Sequence, residues 1–360
     1  MDPTEKPERV TRLVQRESAE RYLLLTLLSF AASVSLTRLF LSLSNYPQIG
    51  NGDLHIAHVL WGGLLLYTAA ILPLLFANRR VYTISALLAG SGVGLFIDEV
   101  GKFITQKNDY FAPVAASIVY VLFLLTIALL VHIRRLGRTQ ARDELTNVFE
   151  NIREALHHPI TSREYLRLKT SLEGVVNSAP TRRYADLAEA LLKFLEPDAT
   201  RSHNPPNKLG ISIGLAKRKI ARLFSDRYLR IYLMLGLLAI GLLNLKNPLS
   251  ILLARWLPPN LSALLGMYAG RHVEAATSPL WSSIRLILEV GVGVLLLTAA
   301  GLLAVKRNKQ GAAMGYVALL LSLTTVDILL FYFEQFSTII TTAIQFLLLI
   351  GIVVYQRRTD

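Results

Sequence analysis

The chain has 360 residues, of which 52% are hydrophobic, with a net charge of +13 and a mean hydropathy of +0.43. A soluble globular domain is rarely this apolar, and several runs of about 20 apolar residues are each long enough to cross a bilayer. The composition therefore predicts an all-α polytopic membrane protein. The absence of cysteine excludes disulfides, thiolate metal sites and cysteine nucleophiles. The basic excess indicates cytoplasmic loops and anionic lipid rather than nucleic acid.

The apolar segments predict eight membrane spans. In chain order they lie at about 22–43, 54–76, 81–104, 113–133, 228–245, 281–305, 311–333 and 337–355. Residues 1–21 are polar and charged, which predicts an interfacial amphipathic segment and not a cleavable signal peptide. Lys and Arg are concentrated in alternate loops, whereas the loops at 44–53 and 334–337 contain neither. The positive-inside rule then places both termini in the cytoplasm.

The two halves of the chain share four short similarities, which occur in the same order. They pair 20–23 with 226–229, 64–70 with 295–300, 96–99 with 331–334, and 132–135 with 355–358. This order predicts two parallel four-helix repeats, at 22–133 and 228–360, related by an axis along the membrane normal. The second bundle contains an outward insertion at about 248–280, which we interpret as a lid or a long surface loop.

A less apolar region at 134–227 separates the two predicted bundles. Apolar residues recur at helical spacing from Leu145 to Leu195, which predicts three amphipathic helices in a small cytoplasmic domain. The region contains no phosphate-binding loop or nucleotide-binding pattern. It is either a spacer between the repeats or a regulatory element. A basic amphipathic stretch at 215–224 fits a helix that lies on an anionic membrane surface.

Ionisable residues are concentrated at one end of the first three spans. They are Arg38, His55, His58, Asp98, Glu99 and Lys102. With both termini inside, all six lie in the outer leaflet, where charged groups are costly unless they are paired, hydrated or functional. Gly62, Gly63 and Gly94 lie within about two turns of these residues and predict close approach between the helices.

This outer cluster has an ordinary and a functional interpretation. His55 and His58 lie close to the predicted start of their span, so residence at the membrane–water boundary explains them. Alternatively, they share one helix face and, with Asp98 and Glu99, form a ligand set that suits Zn or Fe. Asp98 and Lys102 are four residues apart, which favours an internal salt bridge. Glu99 has no obvious partner in its own helix and is expected to face a histidine or the arginine of the cluster.

The second bundle carries a different set of ionisable residues. Arg285 and Glu289 are four residues apart and stand in place of the histidine pair, and Glu334 corresponds to Glu99. The outer cluster is therefore expected to be a property of the first bundle. Asp327 lies nearer the middle of its span with no cation nearby. We predict a buried acid that is protonated, hydrogen-bonded across the bundle or part of a proton path.

Three functions fit these residues. A transport or ion-permeation protein, our leading hypothesis, would bind a cation or proton at Asp98, Glu99 and Asp327, with the histidines tuning the acids near neutral pH. A membrane-embedded metalloenzyme would act on a lipid or quinone and hold Zn or Fe in the outer cluster, with His272 as a further ligand. A non-catalytic subunit or receptor would relay a signal through the region at 134–227.

The expected location is the plasma (inner) membrane of a bacterium, with several spans. The strings at 55–63 and 96–105 resemble segments of bacterial membrane proteins of unassigned function, and this resemblance assigns no role to any residue. Anionic lipids at the cytoplasmic face are the expected partners, and nucleic acid is not. A homo-oligomer or a larger membrane complex is a further expectation.

Overall fold

A computed structural model describes most of the chain. It leaves out 1–14, 17, 45–49, 52–53, 56–57, 107–108, 110–111, 136–144, 146–147, 150–151, 153–161, 179–181, 200–225, 255–278 and 360. Most of the predicted interfacial segment at 1–21, the whole basic stretch at 215–224 and most of the predicted insertion therefore lie outside the described residues. The chain divides into two compact units. One comprises 1–29, 66–90 and 126–208, and the other comprises 30–65, 91–125 and 209–360.

The first four long helices are apolar enough to cross a membrane. They are α1 (Ala19–Leu43), α2 (His58–Leu75), α3 (Arg79–Asp98) and α5 (Pro113–Arg135), with the short α4 at Val100–Ile104. The second helix begins four residues later than predicted, because β1 (Gly50–Asn51) and β2 (Leu54–His55) form a small antiparallel hairpin before it. His55 therefore lies on a strand, and the prediction that it shares a helix face with His58 is wrong.

The region between the predicted bundles contains a small helical core of its own. It comprises α6 (Ser162–Ser178), α7 (Arg182–Ala199) and helical residues between Leu145 and Ile152. The buried side chains are Leu145, Val148, Ile152, Leu168, Leu172, Val175, Ala188 and Leu195. Their spacing places one apolar face of each helix in a shared core, which is what amphipathic helices require for stability in water.

The second half begins with two long helices, α8 (Asp226–Ala254) and α9 (Pro279–Ala304), which pack against each other. Gly241 and Gly293 lie at this contact, since a Cβ added to either would come within 3.3 Å of the other's carbonyl oxygen. The eighth helix continues through Pro248 to Ala254, so the first residues of the predicted insertion at 248–280 are helical and not loop.

A last helical stretch runs from Asn308 to Arg358 and has 51 residues. At about 1.5 Å per residue it is far longer than the bilayer core of about 30 Å, so it must contain two crossings. It divides into α10 (Asn308–Leu321), a π-helical turn (Ser322–Val326), α11 (Asp327–Glu334), a 3₁₀ turn (Gln335–Thr338) and α12 (Ile339–Thr359). Gln335 has φ +52°, which ends the first crossing.

The two halves of this stretch fold back on each other. A Cβ added to Gly315 of α10 would lie 3.0 Å from Cδ1 of Ile352 in α12. The seven apolar helices of the described chain thus provide eight crossings, because the last one is a helical hairpin. The prediction of an all-α protein with about eight spans is confirmed, whereas the parallel repeats stay a prediction.

Candidate functional site

Asp98, the last residue of α3, is the centre of a first ionic cluster. Its side chain is fully buried (0% exposed), and Oδ1 accepts a hydrogen bond from Nε of Arg38 in α1 at 2.5 Å. Its Oδ2 lies 3.1 Å from Nε2 of His58, the first residue of α2. Nη2 of Arg38 also donates to the Asp98 backbone carbonyl at 3.2 Å. Three helices are therefore tied together at one carboxylate.

Glu99 follows in the turn between α3 and α4 and is also buried. Its Oε1 lies 2.9 Å from Nδ1 of His58 and accepts from Nζ of Lys102 at 3.2 Å. Its Oε2 has no hydrogen-bond partner among the described residues. Glu99 faces a histidine of the cluster, as expected. The sequence paired Lys102 with Asp98, but the contact shown for Lys102 is with Glu99.

The two ring nitrogens of His58 lie against two different carboxylates. A neutral imidazole has one N–H, so donating to both acids requires the imidazolium form. A metal ligand needs a ring nitrogen lone pair that points at the ion, and here carboxylates occupy both directions. The described residues contain no group of three His, Asp or Glu side chains able to hold a metal ion. The side chains of His55 and His272 lie outside the description, and Zn or Fe stays a prediction.

Close backbone contacts hold these helices at the cluster. A Cβ on Gly62 of α2 would lie 2.7 Å from the backbone nitrogen of Phe96 in α3, and one on Gly94 would lie 2.7 Å from Cβ of Ser33 in α1. A Cβ on Gly63 would meet nothing within 4 Å. The expected close approach is therefore present at Gly62 and Gly94, and Gly63 takes no part in it.

Arg285 forms a second ionic cluster with two acids of the second half. Its Nε donates to Oε1 of Glu289, one turn along α9, at 2.6 Å, and its Nη2 donates to Oε1 of Glu334. Glu289 is buried, and its Oε2 lacks a hydrogen-bond partner within the described part of the chain. The predicted Arg285–Glu289 pair is therefore present, and Glu334 joins it in a cluster whose residues differ from those of the first.

Both clusters touch the turn that joins α11 to α12. The guanidinium carbon of Arg285 lies 5.2 Å from the ring centre of Phe333, and that of Arg38 lies 4.0 Å from the ring centre of Phe336. Cation–π contacts of this kind contribute about 0.5–2 kcal/mol, more when the groups are away from water. Phe333 precedes Gln335 and Phe336 follows it. The second cluster therefore contacts the chain just before this turn, and the first cluster contacts the turn itself.

Asp327 forms a third polar site, directly after the π-helical turn. Its side chain is fully buried (0% exposed), and it accepts from Oγ1 of Thr342 at 2.9 Å and from Nε2 of Gln345 at 3.2 Å. Both donors belong to α12. The ion pairs of the described residues do not include Asp327. Of the alternatives that the sequence left open, the structure shows the acid hydrogen-bonded across the bundle.

Sequence reasoning did not identify the residues around Asp327. Thr342 and Gln345 are three residues apart in an otherwise apolar helix, and this polar pair on one face was the available signal. Oε1 of Gln345 and Oγ of Ser322 are buried without a partner in the part of the chain that the structure describes. Tyr120 of α5 donates its hydroxyl to the carbonyl of Leu323 at 2.8 Å, within the π-helical turn.

The remaining candidates and the comparisons with known proteins add no assignment. The side chain of His55, like the outward insertion from 255 to 278, lies outside the described residues. Comparisons with protein-family models, with curated proteins and with solved structures found no match.

Proposed function

We propose that this integral membrane protein is an ion-transport or ion-permeation protein and that Asp327 is its ion-binding group. The observation that supports the proposal is a fully buried carboxylate held by neutral donors, with no described cation paired to it. An anion in such surroundings is costly. A proton or a small cation bound at Asp327 would remove that cost, which is the property that an ion-transport site needs.

The donors around Asp327 suit either ion. When Nε2 of Gln345 donates to the carboxylate, its Oε1 is left buried without a partner. Rotation of the amide by about 180° would bring this oxygen towards the carboxylate, because the two ends of an amide have nearly the same shape. A protonated Asp327 would then donate to Oε1, and a hard cation would find two kinds of oxygen ligand.

The backbone beside Asp327 is also suited to a binding site. The π-helical turn at Ser322–Val326 displaces carbonyl groups from regular helix pairing, and such turns often occur at functional sites. One of these carbonyls, that of Leu323, accepts from Tyr120. Irregular backbone inside a membrane is tolerated where it is buried in protein or lines a cavity.

The two ionic clusters fit a supporting role in this proposal. Both oxygens of Asp98 are engaged by cationic or imidazole groups, so it has little capacity for a transported cation. Arg285 likewise engages Glu289 and Glu334. We therefore assign ion binding to Asp327 and helix positioning to the clusters. No described contact favours the metal-dependent enzyme or the receptor subunit over transport.

The test uses the purified full-length protein in liposomes with an imposed membrane potential. Uptake of protons is followed with a pH-sensitive dye inside the liposomes, and uptake of Na⁺ is followed with a radioactive tracer. We expect one of the two ions to enter faster than in protein-free liposomes. Asp327→Asn should abolish this uptake, and Gln345→Leu should slow it, because each removes an oxygen that would bind the ion.

The matched control is Glu20→Gln, which removes an acid whose side chain is half exposed in α1. Uptake by this variant should equal that of the unmodified protein. Ion entry no faster than in protein-free liposomes, or unchanged entry in Asp327→Asn, would contradict the proposal.

A further inference from the structure

A cavity of about 180 Å³ lies beside the Asp327 site, and nothing above gives it an occupant. Four helices line it, α1, α5, α11 and α12. Its wall contains six aromatic residues: Phe30, Tyr120, Phe123, Phe331, Phe336 and Phe346. The rings pack against one another, with Tyr120 stacked on Phe331 at 4.4 Å and Phe123 edge-on to Phe346 at 5.8 Å. The wall is therefore mainly apolar and rich in aromatic rings.

The chemistry of the wall selects for hydrocarbon. Of the three hydroxyl groups in the wall, that of Thr342 donates to Asp327 and that of Tyr120 donates to the carbonyl of Leu323. The third belongs to Ser35, which is partly exposed at the mouth of the cavity and not in its interior. A ligand whose polar groups are carbonyls, such as a quinone, only accepts hydrogen bonds and would need free donors. Water likewise needs two to four polar partners to enter a cavity. An apolar chain needs none of these.

The size and the mouth of the cavity point to a chain that comes from the membrane. An engineered cavity of about 150 Å³ with an apolar wall is large enough for benzene, so this one is large enough for several methylene groups. Ala343 is exposed, and Ala31 and Ser35 are partly exposed, although all three line the cavity. Small side chains at the surface of α1 and α12 leave an entrance on the side of the bundle that faces lipid.

We propose that this cavity binds an acyl chain of a membrane lipid, which enters between α1 and α12. Lipid tails are as apolar as leucine, so burial alone does not drive the binding. The driving force is van der Waals contact. An empty cavity leaves the atoms of its wall without neighbours on one side, and a bound chain restores the dispersion energy that they lose. The proposal does not depend on ion binding at Asp327, and its test has no flux measurement.

The experiment uses the full-length protein in nanodiscs of phosphatidylcholine that carries a diazirine in the middle of one acyl chain. After illumination, the cross-linked residues are mapped by mass spectrometry. We expect strong labelling of α12 around Phe346 and of α1 around Val34, both in the wall of the cavity. Val119→Phe places a ring inside the cavity and should reduce this labelling to the level of the exposed face of α2. Phe346→Ala enlarges the cavity and should keep labelling of α1 at Val34.

The matched control is Ala70→Phe, which adds the same ring to an exposed position of α2 and should leave labelling of the cavity unchanged. If Val119→Phe does not fold, Ala31→Phe at the mouth provides the same test. Labelling that is equal on all exposed helix faces, or that persists at Val34 and Phe346 in a folded cavity-filling variant, would overturn the proposal.

Discussion

At the scale of single residues, the buried charges of this membrane domain are engaged across helices. Arg38 of α1 and His58 of α2 share Asp98 of α3, and Arg285 of α9 reaches Glu334 of α11. A buried ion pair contributes little net stability compared with apolar packing, but removal of one partner leaves an uncompensated charge. The clusters therefore specify how the helices meet more than they strengthen the fold.

Asp98→Asn should destabilise the protein strongly. The change removes the anion that Arg38 and His58 share, and breaking a buried pair costs about 3–5 kcal/mol. The measurement is the free energy of unfolding in mixed detergent micelles. Glu20→Gln serves as the control, because the Arg134–Glu20 pair is half exposed and its loss should cost at most about 1 kcal/mol. Equal stability of the two variants would show that the cluster does not hold the helices.

The site around Asp327 shows what residue-level reading misses. A lone acid in an apolar span is visible in a sequence, and so is a pair such as Arg285 and Glu289 at helical spacing. The groups that complete a site come from distant segments, as Thr342 and Gln345 do here. Such partners depend on how the helices are rotated and positioned against one another. Neither quantity can be read from a single sequence.

At the scale of elements, close helix contacts decide where the first ionic cluster forms. Gly62 and Gly94 let α2 and α1 approach the backbone of α3 closely, since added Cβ atoms there would come within 2.7 Å of neighbouring atoms. In lipid the hydrophobic effect does not drive helices together, so close packing of small residues is a main source of association. The positions of His58 and Asp98 follow from this packing.

Gly62→Ala and Gly63→Ala form a matched pair of neighbouring substitutions. Gly62→Ala should force α2 away from α3 and lower the unfolding free energy by about 1–3 kcal/mol, as overpacking does in protein cores. Gly63→Ala should be neutral or stabilising by up to about 1 kcal/mol, because the new methyl group meets open space and alanine favours helix. Thermal unfolding in detergent measures both, and equal effects would rule out the close contact.

The sequence predicts helix ends well where an apolar run is followed by charged residues. It predicts the start of α2 incorrectly, because a hairpin signal lies immediately before the apolar run. The hydrophobicity of Leu54 and Ile56 favoured an early start for α2, but Leu54 belongs to β2. The two residues between β1 and β2 in the sequence are Gly52 and Asp53, and Gly-Asp between two short runs is a hairpin signal. The break at Gln335 was anticipated by the polar residues there, whereas the π-helical turn before Asp327 has no sequence pattern that distinguishes it from regular helix.

At the scale of the whole molecule, the orientation in the membrane can be tested cleanly because the chain has no cysteine. The positive-inside rule predicts that Asn78, between α2 and α3, faces the cytoplasm and that Ser337 faces the opposite side. A membrane-impermeant maleimide added to intact cells should label Ser337→Cys. It should label Asn78→Cys only after the cells are permeabilised. The opposite pattern would invert the predicted topology.

The contact between Arg38 and Phe336 joins residues that are made at very different times. Phe336 leaves the ribosome 298 residues after Arg38, which at about 5–20 residues per second is a delay of about 15–60 s. Asp98 emerges earlier and gives the arginine an anionic partner in the meantime. The cation–π contact of Arg38 with Phe336 can therefore form only after the last helical hairpin has been synthesised. Chains whose synthesis stops before Phe336 would lack this contact.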